Sequence, residues 1–294
     1  MKKAASTLFI LIAASLWGCM GIFVRHFNAA GLAAFDILQM RILPGLVFVG
    51  TYLAVFHREK LRVRIKDLWC FFGTGICSML FFSYCYFTGI NEASLSVMSV
   101  LLYTAPAFVL LLSAIFFREK LTAQKLLALG LTFAGCCLVS GLGGGVRLGA
   151  RVLLLGLGAG FGYSLYSIFS RCAILRGYDS WTITFYTFVF CAAGGLFFTD
   201  WGAISSAVRA DGTLVWWVLV MGFTTAFLAY LLYTRGLEGM ESSRASILAS
   251  VEPVVASVIS VTVFHEALSA AQAAGILLVL SGVAVLSMKE RQKA

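Results

Sequence analysis

The sequence predicts an all-α integral membrane protein of ten transmembrane helices, built as two inverted five-helix repeats. Composition, the placement of basic residues and an internal repeat carry that prediction. Of 294 residues, 61% are hydrophobic and 12% are charged, with a mean hydropathy of +0.95, whereas a soluble domain carries about 25% charged residues. A soluble core cannot hide that much apolar surface. A bilayer can, at roughly 20 apolar residues per spanning helix. Ten spans then use about 200 residues and leave only short connectors, with no room for an extramembrane domain. No phosphate-binding P-loop motif occurs.

Apolar runs between charged or Gly-rich breaks place the spans near 6–24, 35–56, 68–90, 93–117, 122–141, 150–170, 180–199, 213–234, 243–264 and 269–288. The first run follows Lys2 and Lys3 as a signal peptide would, but no polar mature segment comes after it. It therefore reads as a retained helix. The eight cysteines fall mostly inside apolar runs and show neither zinc nor disulfide spacing, so they read as small apolar fillers.

Basic residues set the orientation. With both termini cytoplasmic, the inner segments hold 17 Lys and Arg, and the outer ones hold Arg25, Arg147, Arg151 and Arg209. Arg41, inside a span, completes the 22. Topology thus accounts for the net charge of +9, and a nucleic-acid partner is not expected. The bilayer is the expected surroundings, the plasma (inner) membrane the expected location, and a monomer or weak homo-oligomer the expected state.

The repeat appears when the chain is shifted by 147 residues. Gly75 meets Gly222, Tyr86 meets Tyr233, Gly89 meets Gly236, Pro106 meets Pro253, Glu119 meets Glu266 and Gly135 meets Gly282. Apolar matches are cheap in this composition, whereas matched Pro, Glu, Tyr and Gly at one shift are not. Five spans per half is an odd number, so the second half enters the membrane inverted. Many secondary transporters have this architecture, with substrate near the midplane at the repeat interface. The halves are 1–145 and 146–294, with Gly141-Leu-Gly-Gly-Gly145 as the expected linker.

Two charges lie well inside the predicted spans, Arg41 and Glu252. Intramembrane charge is costly and usually functional. Glu252 precedes Pro253, and Pro106 repeats that kink in the fourth span. Glu252 reads as an ammonium partner, a proton-coupling group or a hydrogen-bonded structural carboxyl. Arg41, nearer the outer face, reads as a substrate contact or a snorkelling side chain. Trp17, Tyr103 and Tyr163 fall close to mid-span. Tyr166 shares a face with Tyr163, and Tyr230 shares one with Tyr233, each at i,i+3. These residues are the candidate substrate site, since buried hydroxyls need partners and an aromatic-lined wet cavity supplies them. Tyr84 and Tyr86 are expected in the interfacial belt. Gly156, Gly158, Gly160 and Gly162 in the sixth span allow close helix packing or sliding. All His and Asp fall at span ends or in loops, and no HExxH or GxSxG motif occurs. Catalytic residues, metal ligands and cofactors are therefore not expected.

These residues resemble the EamA family of the drug/metabolite transporter superfamily. The likeness rests on Ser15-Leu-Trp-Gly18, Arg41, Tyr103-Thr-Ala-Pro-Ala-Phe-Val109 and Phe116-Phe-Arg-Glu-Lys-Leu-Thr122 in the first half. In the second it rests on Val251-Glu-Pro-Val254, Phe264-His-Glu-Ala-Leu-Ser269, Gln272-Ala-Ala-Gly275 and Gly282. It covers essentially the whole chain, and one departure is that Ala267 stands where Lys120 follows the first Glu. The resemblance implies ten helices, a central cavity, alternating access and export of small organic metabolites such as amino acids. A facilitative pathway without ion coupling, and a membrane protein that binds lipid or a partner without transport, are the alternatives.

Overall fold

A computed structural model describes residues 3–93, 95–140 and 149–288, and every regular element among them is helical. The expected linker and both chain ends lie outside the described residues. Spans one to four are Ala4–Ala29, Ala34–Phe56, Ile65–Glu92 and Val97–Phe117. Span six is Ala150–Leu175, and spans eight to ten are Leu214–Leu237, Ser242–Thr262 and Ala270–Ser287. Two shorter helices, Ala123–Val139 and Ser180–Gly195, supply spans five and seven. At 1.5 Å per residue each reaches about 25 Å, most of a bilayer core of about 30 Å.

Span one is divided at Cys19, and four further spans are interrupted in two matched pairs. Span four consists of Leu95–Leu102 and Ala105–Phe117, and span nine of Ser242–Ala249 and Glu252–Thr262. Pro106 and Pro253 sit in the first turn of each second helix. Proline lacks an N–H and its ring crowds the carbonyl four residues back, so it begins a helix more readily than it continues one. Thr104 Oγ1 donates to the Leu101 carbonyl at 2.6 Å and so satisfies one group at the first break. The second pair has no proline. Gly73–Leu80 in span three and Gly222–Leu228 in span eight are π-helical, at nearly equivalent places in the two halves.

Small residues set how closely the spans approach. Gly135 of span five lies against span ten, where an added Cβ would stand 2.6 Å from the Gly275 carbonyl oxygen. Gly282 meets Ala128 and Thr132 in return. Gly75 rests on Thr187 and Phe190 of span seven, and Gly222 rests on Arg41 and Pro44 of span two. The span-six glycines serve packing: Gly156 and Gly160 face Leu101 and Thr104 of span four, while Gly158 and Gly162 face Cys85 and Phe81 of span three. Without a hydrophobic drive between helices in lipid, such contacts and the hydrogen bonds they permit hold the bundle together. Thr74 and Thr187, bonded at 2.6 Å between their hydroxyls, are one such tie. The cysteines are all free, and Cys70, Cys85, Cys136 and Cys191 are buried.

Hydropathy gave no sign of one element. Trp201–Ala210 is a short helix between spans seven and eight, capped where the Asp200 carboxylate accepts the Ala203 N–H at 2.9 Å. Ala203, Ile204, Ala207 and Val208 make one apolar edge, and they join Trp217 against the cluster that holds Phe23 and Phe27.

Candidate substrate site

Spans one, three, six and eight converge on a narrow aromatic-lined cleft, with about 300 Å³ of unfilled space when its open mouth is counted. Its walls are Trp17, Ser78, Met79, Phe82, Tyr163, Tyr166, Ser167, Tyr230 and Tyr233. On span six, Tyr163, Tyr166 and Ser167 follow the i, i+3, i+4 rule for one helical face, as Tyr230 and Tyr233 do on span eight. The Trp17 ring lies at their centre, 5.1 Å from Tyr230, 5.2 Å from Tyr233 and 6.2 Å from Tyr163. The hydroxyls find partners: Tyr166 with Thr234 Oγ1 at 2.6 Å, and Tyr233 with Ser167 Oγ at 2.8 Å. Next to Trp17, Gly18 lets span one sit against the break in span nine, where an added Cβ would be 2.7 Å from the Glu252 carbonyl oxygen.

The two intramembrane charges stand just beyond these walls. Arg41 is turned into the protein, not outward: its Nη2 donates to the Thr225 carbonyl at 2.8 Å, and its guanidinium lies 5.4 Å from the Tyr230 ring centre. Trp17 Nε1 donates to the same carbonyl at 3.2 Å. Thr225 belongs to the π-helical stretch, where the backbone hydrogen-bond register is shifted; its carbonyl serves two side-chain donors. The Nε of Arg41 is buried without a partner.

Glu252 is the first residue of the second helix of span nine, so the break places the positive end of a helix dipole beside its carboxylate. Tyr163 donates its hydroxyl to Glu252 Oε2 at 3.4 Å. Among the described residues the ion pairs do not include one between Arg41 and Glu252.

Of the residues singled out in the sequence, Trp17, Tyr163, Tyr166 and Tyr230 are thus brought to one cavity, with Arg41 and Glu252 behind it. Tyr103 goes elsewhere, packed with Cys136, Val254 and Val279. Tyr84 is 49% exposed, as a belt residue should be, but Tyr86 is half-buried with its hydroxyl 3.0 Å from Ser99 Oγ. That departs from the belt expectation, because Phe82 stacks on Tyr86 and holds it against the bundle. Ser78, Met79, Phe82 and Ser167 were not singled out. Their side chains are ordinary for a membrane span, and only the convergence of four helices selects them. Tyr233 did carry a signal, its i,i+3 pairing with Tyr230. Among the described residues no group of three or more His, Cys, Asp and Glu is placed to hold a metal ion.

The EamA-like transporter family matches residues 5–141 and 150–288. The uncharacterized transporter YxxF of Bacillus subtilis is 26% identical, with 100% of this chain and 93% of the relative aligned. An uncharacterized transporter of Archaeoglobus fulgidus is 27% identical over 94% of each chain. The uncharacterized inner membrane transporter YicL of Salmonella typhimurium is 23% identical, covering 98% of this chain and 96% of the relative. A crystal structure superposes with a TM-score of 0.78 over 99% of both chains at 19% identity, which shows the fold.

Proposed function

Because the chain belongs to the EamA-like transporter family, we propose that this membrane transporter exports a small zwitterionic metabolite, an amino acid being the type, by alternating access. The observation that carries this reading is the unpaired placement of Arg41 and Glu252. Two opposite charges inside a membrane protein ordinarily neutralise each other. Here both stand beyond the wall of a Trp–Tyr cavity, Arg41 beside Tyr230 and Glu252 beside Tyr163, each held by uncharged groups. A ligand with a carboxylate and an ammonium group offers each of the two charges a partner, and the aromatic faces suit an amphipathic body. The transport is of a small molecule, not catalysis, and the absence of a nucleophile–base motif in the sequence supports that reading. The site's residues are Trp17, Tyr163, Tyr166 and Tyr230, with Arg41 and Glu252 beyond them. The basic-residue bias supports an orientation with both termini cytoplasmic in the plasma membrane, and the protein works as a monomer or weak homo-oligomer. The halves divide near residue 145.

Counterflow in proteoliposomes tests the reading. Internal amino acid should drive uptake of labelled amino acid, while the matching amine and the matching carboxylate compete at least tenfold less well. Equal competition by all three would overturn the zwitterion assignment, and no counterflow across a panel of amino acids, amines and carboxylates would overturn export of this class.

A further inference from the structure

The two repeated glutamates outside the cavity are built alike and used differently. Arg118 and His265, at equivalent positions, both adopt the left-handed conformation with φ of 54°. Each turns the chain sharply after its span and presents the next residue, Glu119 or Glu266. The Glu119 side chain is 6% exposed and accepts the N–H of Ser242 at 2.9 Å and of Ser243 at 3.2 Å, together with the Ser243 hydroxyl. It therefore caps Ser242–Ala249, the first helix of span nine, in the opposite half of the molecule. A carboxylate on free N-terminal amides is a favourable cap. Lys125, 4% exposed, lies 3.6 Å from Glu119 and 2.7 Å from Glu241 and completes the seal.

The equivalent helix start in the first half is that of Leu95–Leu102. The symmetric contact would bring Glu266 there. Instead Glu266 is 47% exposed and pairs with Arg25, itself 52% exposed, at 2.7 Å, and with the Ser260 hydroxyl. Three ion pairs lean the same way, while buried Asp36, accepting the Asp200 N–H, is a tie at the Glu266 end. At the Glu119 end, Asp67 with 5% exposure joins Arg64 and Arg176, and Lys60 joins Asp179 at 2.5 Å. At the Glu266 end, the Arg151–Glu92 pair has an arginine that is 77% exposed.

We infer that Glu119 and Glu266 are alternating latches. In the conformation seen here Glu119 holds the start of Ser242–Ala249 and shuts its end of the molecule. In the opposite conformation Glu119 lets go, Glu266 leaves Arg25, and Glu266 takes the start of Leu95–Leu102 to shut the other end. The inference rests on the alternating-access reading above, and it names the contacts that define the two states.

Hydrogen–deuterium exchange of the full chain in nanodiscs separates the latch from a simple helix cap. Glu119→Ala should speed exchange at 242–243 roughly tenfold, as loss of a cap does. It should also slow exchange at the start of 95–102, because the population moves to the state Glu266 holds. Adding Glu266→Ala should abolish that second effect. Glu119→Gln, which keeps the shape, should move both helices the same way by a smaller factor. Faster exchange at 242–243 with 95–102 unchanged, or slowing that persists in the double variant, would overturn the latch. The readout needs no substrate, so it is distinct from transport. Opposed changes without counterflow count against the transport reading alone, and counterflow without them counts against the latch alone.

Discussion

The two halves of this chain share a scaffold and divide the chemistry. Pro106 and Pro253 start equivalent half-helices, Gly75 and Gly222 lie in equivalent π-helical stretches, and Arg118-Glu119 and His265-Glu266 make equivalent turns. The charges are not shared. Glu252 falls opposite Ala105, Arg41 opposite Phe188, and Trp17 opposite Ser164 at the 147-residue shift. Each half thus contributes one charge of opposite sign. Residues that bend and pack the helices are duplicated, because both halves must fold into the same form. Around the proposed site Trp17, Arg41 and Glu252 are single, as an asymmetric ligand would require, although Tyr233 on the cavity wall repeats as Tyr86.

If that division holds, scaffold substitutions should hurt equally at equivalent sites. Gly135→Val and Gly282→Val each force a branched side chain against neighbouring backbone or side chains, at a cost of about 1–3 kcal/mol or more. Both should lower thermal stability in detergent by similar, large amounts. Tolerance of one and collapse of the other would break the comparison.

Charge substitutions should act on transport and not on folding. Glu252→Gln removes a carboxylate that costs roughly 2.5–3.5 kcal/mol at mid-membrane, so melting should hold or rise. If Glu252 couples protons, exchange persists and the response to a pH gradient disappears. If it binds the substrate ammonium, exchange of zwitterions weakens while neutral ligands are spared. Unchanged exchange, pH response and ligand range would return it to the scaffold.

Trp17→Phe keeps an aromatic ring and deletes only the donor to Thr225. An interhelical bond of this kind averages about 0.6 kcal/mol, so stability should barely move. Ligand affinity should fall severalfold as Arg41 loses its shared acceptor geometry. An equal loss in Ser164→Ala, at the matching site, would argue against a division of labour.

The smallest effect lies in the loop before span seven. The Asp179 carboxyl is partly buried, which alone would raise its pKa. The Lys60 ammonium and the Thr182 N–H outweigh burial and hold it below the usual 3.8. Its contribution is thus fully present above about 3.8 and is lost as pH falls through the lower folded value. Melting should show no Asp179-dependent change between pH 7 and pH 5, and Asp179→Asn should remove only an acid-side decline. A decline beginning near pH 6 that vanishes in Asp179→Asn would contradict the assignment.

Much of this was legible in the residues. Hydropathy located the spans because a bilayer forces each one to be long and apolar, and the odd number per half exposed the inversion. The proline breaks announced themselves, since proline acts on its own backbone. The π-helical stretches did not: no local pattern marks them, and what they meet, Thr187 for Thr74 and Arg41 for Thr225, lies on other spans. The surface helix escaped notice because ten residues with an apolar edge do not stand out in an apolar chain. Trp17, Tyr163, Tyr166 and Tyr230 reach the cavity wall because depth and helical face are local properties. Tyr103 shows the limit, since its depth was apparent and the direction of its side chain was not.

The contact between spans five and ten carries a last consequence. Gly135 touches Gly275 and Val279, and Gly282 touches Ala128 and Thr132. At the 147-residue shift these are the same contact read in both directions. That is the isologous logic of a symmetric dimer interface, in which one surface patch meets its own copy. In a true symmetric pair any change at such a seam counts twice. In a single chain each side can differ, and here Gly135 meets Gly275 while its counterpart Gly282 meets Ala128.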